Sequence, residues 1–136
     1  MLQIQVTIGE AIDRHIILGL KVKAQPDNED LKNEHALLGR AIDYFRTTHK
    51  LNRHILADVL ATEQLLSRIN EELWRHEDAL RAELSGEFDY QKLVGIAQAI
   101  AKGNERRSKL KKALNAYYGD LASEGKVYGG KPCDET

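Results

Sequence analysis

The strongest constraint on the fold is an apolar repeat of seven residues in the middle of the chain. The positions that follow it are Val59, Leu66, Leu73 and Leu80. This spacing places all of them on one side of a long helix, where they can pack against a second helix. The repeat therefore predicts a helix from about residue 54 to residue 84.

A second long helix follows after a short polar link. The Ser-Gly pair at 85–86 is typical of a helix end, and Asp89 can cap the next helix. The apolar positions on one heptad line of that helix are Leu93, Ile100 and Leu114, and Gly119 is expected to end it. Because the link is short, the two helices must be antiparallel neighbours, which predicts a helical hairpin over about residues 54–118.

A shorter helix is predicted near the start of the chain. Thr7 with Glu10 three residues later matches a capping box, in which each side chain satisfies an amide of the first turn. Apolar residues at helical spacing continue this helix to about Ala24. Pro26 and the polar run after it then end the helix.

Another helix is expected between that proline and the hairpin. Asp27 or Asn28 can cap it, and its buried stripe consists of Leu31, Leu38, Ile42 and Phe45. The stretch 47–53 is polar and is compatible with either a kink or a loop. The chain is thus predicted to be mainly α, with four helices.

The first residues follow a different pattern. Leu2, Ile4, Val6 and Ile8 alternate with polar side chains, and this period of two predicts a short N-terminal β-strand. A single strand is not stable alone, so we expect it to pair with another segment or a second copy. We expect one helical domain over residues 1–119 and a flexible, Gly-rich C-terminal tail over 120–136.

Composition excludes several classes of protein. A net charge of −1 creates no overall field toward nucleic acid or membrane. No apolar run approaches the roughly 20 residues that a membrane helix needs, and the first residues lack the basic leader and apolar core of a signal peptide. Cys133, the only cysteine, allows no internal disulfide, which favours a reducing compartment. We therefore expect a cytoplasmic protein without a membrane partner.

The apolar seam of the hairpin is broken at one point. The heptad line that passes through the apolar positions of the last helix also passes through Arg107, with Asn104 and Lys111 on the same face. A buried, unpaired charge is costly, so this arginine must have a partner or line a wet cavity.

One interpretation of the break is an internal network. Simple hairpin geometry places Asn104 opposite Asn70 and Lys111 opposite Glu63. Arg107 or Lys111 would then pair with the Glu63 carboxylate, and the two asparagines would fix the register of the helices.

The other interpretation is a ligand pocket. Arg107 and Lys111 would contact phosphate or carboxylate groups, and Asn70 and Asn104 would bind polar edges of the ligand. Trp74, the only tryptophan, lies near the break and would pack on a ring. The sequence leaves both interpretations open.

The residues around the break form a basic segment. Between Lys102 and Lys112 there are six basic residues against the single acid Glu105, for a local charge of +5. A solvated basic face is the commoner explanation of such a segment, which supports an anion site only mildly. No aromatic stacking platform or nucleic-acid motif accompanies it, so we expect no nucleic-acid partner.

Catalytic motifs are weak. Glu72 and His76 lie four residues apart and share a helix face, as metal ligands do. A helical nucleotide pyrophosphohydrolase needs a Glu-Glu-x-x-Glu run, but here Arg75 interrupts it and the last helix has no matching acids. The sequence therefore predicts no catalytic residue, no metal site and no cofactor, and a metal-dependent hydrolase is kept as a second alternative.

Three segments, taken together, resemble a known family. They are Val6–Lys21 with the run VTIGE, 69–78 with INEELW followed by Glu-Asp, and 104–115 with NERR, Leu-Lys and Asn. They are similar to an uncharacterised family of small helical proteins from bacteria and tailed phages, a domain of unknown function. The similarity covers residues 4 to about 118, and the tail departs from the family's ending.

The resemblance implies one site built from three helices. Its polar residues are Glu10, Asp13 and Lys21; Asn70, Trp74 and Asp78; and Asn104, Arg107 and Lys111, to which we add the neighbouring Arg106 as a candidate ligand-binding residue. Phage membership implies a small non-enzymatic anti-defence protein in the cytoplasm of the bacterial host cell. We expect a homo-oligomer that sequesters a small, anionic, nucleotide-like signal. The first alternative is a structural or protein-interaction module.

Overall fold

A computed structural model of the chain describes residues 1–119. It contains four helices, which are α1 (Ile8–Ala24), α2 (Glu29–Thr48), α3 (Arg53–Leu84) and α4 (Tyr90–Tyr117). The predicted four-helix organisation and the long hairpin, formed by α3 and α4, are confirmed. The predicted flexible tail over 120–136, with Cys133, lies outside the described residues. No helix in the described part of the chain has the length and apolar character needed to cross a membrane.

Each helix begins at a polar side chain that accepts a hydrogen bond from a first-turn amide. These N-caps are Thr7, Asn28, Asn52 and Asp89. The first amides of a helix have no acceptor inside the helix. A side chain that accepts a hydrogen bond from one of them therefore fixes the residue at which the helix starts. Of the polar stretch 47–53, only residues 49–52 form a loop, because α2 ends at Thr48 and α3 begins at Arg53. At the other end, Gly119 has a φ of 67°, a conformation that favours glycine and follows the end of α4.

The predicted N-terminal β-strand is wrong. Residues 1–7 form no strand, and the side chains of Leu2, Ile4 and Val6 are 89%, 70% and 45% exposed. A strand requires a hydrogen-bonded neighbour, and within residues 1–119 no other strand is present. Ile8, the last residue of the alternating pattern, instead begins α1 and is buried.

Helix α1 connects the other elements. It packs against α2 on one side and against both helices of the hairpin on the other. Contacts from Gly9 to Asn115 and from Asp13 to Arg107 show that α1 runs antiparallel to α4. Its position brings polar side chains of α1 to the break in the hairpin seam.

The main core lies where all four helices meet. Its buried members are Ile8 and Ile12 from α1, Ile42 from α2, Val59 and Leu66 from α3, and Leu114 from α4. The last three are completely inaccessible to solvent. The heptad positions of α3 and α4 therefore serve a four-helix core at the open end of the hairpin.

Two histidines form an interlocked contact between α1 and α2. The rings of His15 and His35 stack with centroids 4.1 Å apart and an angle of 8° between their planes. A Cβ atom on Gly39 would lie 3.0 Å from Nε2 of His15, and one on Gly19 would lie 3.4 Å from Nε2 of His35. Each ring thus lies over the glycine of the opposite helix, which allows the two helices to approach closely.

This contact predicts a loss of stability in mild acid. Burial and the neighbouring His35 lower the pKa of His15 below its ordinary value of 6.5. The unfolded chain therefore binds a proton more readily than the folded chain, and stability falls as pH drops from 6.5 through the lowered pKa. Urea unfolding at about pH 7.5 and about pH 5.5 measures this loss.

Two substitutions test the assignment to His15. His15→Phe retains a stacked ring that cannot titrate, so it should show a smaller loss of stability in acid. His54→Gln changes an exposed histidine of α3 and should retain the wild-type pH dependence. An unchanged pH dependence in His15→Phe would show that the effect arises elsewhere.

Candidate functional site

The break in the hairpin seam is filled by a carboxylate from α1. Arg107 donates from Nε to Oδ1 of Asp13 at 2.9 Å and from Nη2 to Oδ2 at 2.6 Å. Asn70 of α3 donates from Nδ2 to the same Oδ1 at 2.9 Å. The Asp13 side chain is 1% exposed, so three helices are joined at one buried carboxylate.

A second ion pair extends this network along α1. Nζ of Lys111 lies 2.6 Å from Oε1 of Glu10 and 3.9 Å from Oδ2 of Asp13. Glu10 also accepts a hydrogen bond from Nη2 of Arg14 at 3.3 Å. Residues three or four apart share one helix face, so two acids of α1 meet two cations of the antiparallel α4.

The central pair is ionised in the folded protein. Burial alone would raise the pKa of Asp13, but hydrogen bonds from Arg107 and Asn70 and the charges of Arg107 and Lys111 lower it below its ordinary value. The hydrogen bond to Asp13 in turn raises the pKa of Arg107. A pair whose two members are both held in their charged forms is suited to recognition and poorly suited to moving protons near neutral pH.

The first turn of α1 lies against the backbone of α4. The amide of Gly9 donates to Oδ1 of Asn115 at 2.7 Å. A Cβ atom at this position would overlap the backbone carbonyl of Lys111, so only glycine permits the approach. This contact sets the depth at which α1 places its carboxylates.

A cavity of about 330 Å³ adjoins the ion-pair network. It is lined mainly by α1, with Glu34 from α2 and Arg107 from α4. Its lining residues are Glu10, Asp13, Arg14, Ile17, Leu18, Lys21, Glu34 and Arg107. The volume lies at the lower end of the range of about 300–1,000 Å³ found for small-molecule sites. Its lining is more charged than that of most such sites, because six of the eight residues carry a charge and only Ile17 and Leu18 are apolar.

Several charged groups of this cavity have unused bonding capacity. The bonds from Arg107 to Asp13 use Nε and Nη2. The remaining nitrogen, Nη1, has no acceptor among the described residues. Lys21 and Glu34 are exposed and have no ion-pair partner within residues 1–119. Two cationic groups and one carboxylate are therefore available to a ligand.

The structure brings together only part of the candidate set. Glu10, Asp13, Asn70, Arg107 and Lys111 form one network, and Lys21 lies on the adjoining cavity.

The other candidates lie apart from the cavity lining. Asn104 and Arg106 are exposed on α4, and Trp74 is half-buried without lining the cavity. Asp78 is exposed and pairs with Arg81 on its own helix.

The partners predicted from the hairpin alone are wrong. Glu63 forms a bidentate pair with Arg46 of α2 at 2.8 and 2.9 Å, and Nη1 of Arg46 also donates to the Tyr118 hydroxyl at 3.2 Å. Asn70 pairs with Asp13 and not with Asn104. Hairpin geometry relates only residues of α3 and α4, so it does not account for the carboxylates that α1 inserts beside the seam.

Sequence reasoning missed several residues of the site. Arg14 and Glu34 line the cavity, and Asn115 holds the first turn of α1. The sequence did contain a signal for the buried ion pair, because Asp13 places a carboxylate beside the apolar stripe that contains Ile12. A buried acid on such a stripe requires a cationic partner.

The described residues do not form a metal site. Within residues 1–119, no group of three or more His, Cys, Asp or Glu side chains lies close enough together to hold an ion. Glu72 is exposed on the same helix as the half-buried His76, without a third ligand.

Comparison of the chain with family models, with curated proteins and with solved structures finds no match. The resemblance to a family from bacteria and tailed phages stays a prediction. The functional assignment therefore depends on the geometry of the ion-pair network and its cavity.

Proposed function

We propose that the protein is a non-enzymatic binding protein that holds a small phosphorylated ligand in the cavity between α1, α2 and α4. The observation that carries the proposal is that three cations, Arg14, Lys21 and Arg107, line the cavity. Three acids line it as well, and two of them, Glu10 and Asp13, already have cationic partners. Guanidinium and ammonium groups bind phosphate through charge-assisted hydrogen bonds. Ile17 and Leu18 add apolar surface beside these cations for a ring or a sugar face.

The ion-pair network supports recognition by holding its arginine in place. Arg107 is fixed through Asp13, which also accepts a hydrogen bond from Asn70. A side chain that is already ordered loses little conformational entropy when a ligand binds. Nη1 would then donate to a phosphate oxygen without breaking the bonds to Asp13.

The carboxylate of Glu34 limits the class of ligand that would fit the cavity. Glu34 lines the cavity without an ion-pair partner among the described residues, and a carboxylate accepts hydrogen bonds. A ligand that carries both phosphate and amino or imino donors satisfies both kinds of group. Nucleotides have this combination. The resemblance to phage proteins favours a signalling nucleotide whose sequestration would act against host defence.

The alternative function is a structural or protein-interaction module. The observation that favours it is the pairing of Arg107 with Asp13, because this bidentate contact also serves to join α1 to the hairpin. The two functions differ in their dependence on Lys21, which contributes no ion pair to the described fold.

Calorimetric titration with a panel of cyclic and linear nucleotides tests the proposal. We expect at least one nucleotide to bind and Lys21→Ala to weaken it by about tenfold, the loss of about one charge-assisted hydrogen bond. The matched control is Lys23→Ala, an exposed lysine of α1 that does not line the cavity. Absence of binding by every nucleotide, or equal effects of the two substitutions, would favour the interaction module.

A further inference from the structure

The outer part of the hairpin has no buried side chain. We call residues 74–103 the arm; it contains the end of α3, the connecting turn and the first half of α4. Every residue of the arm is exposed or half-buried. Its large aliphatic and aromatic residues nevertheless include Leu80, Leu84, Phe88, Leu93, Val94, Ile96 and Ile100. The arm therefore has the apolar residues expected of a packed helical bundle, but these residues are not buried as they would be in a bundle.

The contrast with the open end of the hairpin indicates what is missing. There, α1 lies against both α3 and α4, and Val59, Leu66 and Leu114 become fully inaccessible. Most of the stability of a helix in a protein comes from packing its apolar face against other helices. No residue of the arm is as buried as Val59, Leu66 or Leu114, so a further pair of helices would complete the packing.

The exposed apolar residues concentrate at the tip of the arm. Leu84 is 52% exposed, Phe88 44% and Val94 49%. The rings of Phe88 and Tyr90 pack edge to face with centroids 5.6 Å apart. Exposed aromatic side chains of this kind are typical anchors of protein interfaces.

The charges of the arm favour a second copy as the partner. The tip segment 83–89 contains three acids, Glu83, Glu87 and Asp89, and no basic residue. Glu83 pairs with Lys92, which leaves Glu87 and Asp89 to face a partner. The segment 102–112, where the arm joins the body, has a charge of +5. Arg107 and Lys111 are paired with acids of α1, and the remaining cations, Lys102, Arg106, Lys109 and Lys112, still outnumber the single acid Glu105. Two arms that lie antiparallel place the acidic tip of each beside the basic segment of the other.

The dimensions of the arm fit this arrangement. From Trp74 to Leu84 the helix advances about 15 Å, at about 1.5 Å per residue. When two antiparallel arms overlap over this length, the acidic tip of each copy meets the basic segment of the other copy. This contact occurs at both ends of the overlap. A two-fold axis repeats each contact, as in most homodimers.

We propose that the arms of two copies pack antiparallel into a four-helix bundle and so form a two-fold symmetric dimer. The apolar residues of the arm form its core. The acidic tip and the basic segment fix its direction, because a parallel arrangement would place like charges together. The contact needs no ligand in the cavity.

Light scattering coupled to size-exclusion chromatography tests the dimer with the full chain. We expect a mass of twice 15.4 kDa. Val94→Glu and Leu84→Glu should each raise the dissociation constant by about tenfold or more, because each places a charge in the bundle core. The matched control is Leu37→Glu on α2, which is 61% exposed and distant from the arm in sequence, and should remain dimeric.

Charge reversal tests the direction of the arms. Glu87→Lys and Arg106→Glu should each weaken the dimer, and the double variant should recover much of the loss. Helical content from circular dichroism should be unchanged in all variants, since the substituted residues are exposed. A monomeric wild-type protein, with or without another protein bound at the arm, would overturn the proposal. So would a dimer that is insensitive to the arm substitutions or is disrupted by Leu37→Glu.

Discussion

Replacement of Asp13 by asparagine should lower the free energy of unfolding by about 2–4 kcal/mol, as measured by urea denaturation. The substitution retains the size of the side chain but leaves Arg107 without its carboxylate. Removal of one member of a buried pair typically costs about 3–5 kcal/mol. The Arg107 side chain is 29% exposed and can recover some hydration, so we expect the lower part of that range or slightly less.

A triple replacement separates the ion pair from the packing around it. Asp13→Leu together with Arg107→Met removes both charges, and Asn70→Leu removes the buried amide that would otherwise lose its acceptor on Asp13. Exchange of a buried pair for apolar residues is often neutral for stability, so this variant should be more stable than Asp13→Asn. If both variants lose the same stability, the charges are not the reason for the effect.

Acid provides a second test of the same carboxylate. The pKa of Asp13 lies below its ordinary value of 3.8 in the folded protein. The stability that this group contributes is therefore complete above 3.8 and is lost as pH falls through the lowered pKa. Asp13→Asn should lack this part of the acid dependence, while the separate loss in mild acid assigned to His15 should persist in that variant.

Gly9→Ala should destabilise the protein by about 1–3 kcal/mol or more, the cost of forcing extra atoms into a packed contact. The new methyl group would overlap the backbone carbonyl of Lys111, which cannot rotate away as a side chain can. The first turn of α1 must then withdraw from α4 and weaken the hydrogen bond to Asn115. Urea unfolding gives the loss of stability directly.

A glycine in open surroundings is the matched control for this substitution. Gly95 lies inside α4, and within one copy of the chain an added Cβ would meet nothing within 4 Å. Gly95→Ala should therefore stabilise the helix by about 0.5–1 kcal/mol through the higher helix propensity of alanine. Opposite signs for the two substitutions identify steric overlap as the cause, whereas a neutral Gly9→Ala would mean that α1 can shift without loss.

Much of the candidate site could be anticipated from local pattern. The heptad line through α4 identified Arg107 as a charge at an apolar position, and helical spacing placed Lys111 on the same face. The partners could not be identified in this way. Asp13 is 57 residues from Asn70 and 94 residues from Arg107 along the chain. No periodicity relates residues so distant, and the way in which α1 packs onto the hairpin determines their contact.

The sequence by itself determined the four helices, the caps at Thr7 and Asp89 and the antiparallel hairpin. Each of these depends on interactions between residues that are close in the chain, such as the hydrogen bond from the amide of Glu10 to Thr7. Tertiary structure alone decided that the N-terminal segment forms no strand and that Glu63 pairs with Arg46 and not with the seam. A strand and the ion pair between Glu63 and Arg46 both need a partner from elsewhere in the chain. That partner is available only where helix packing brings it close.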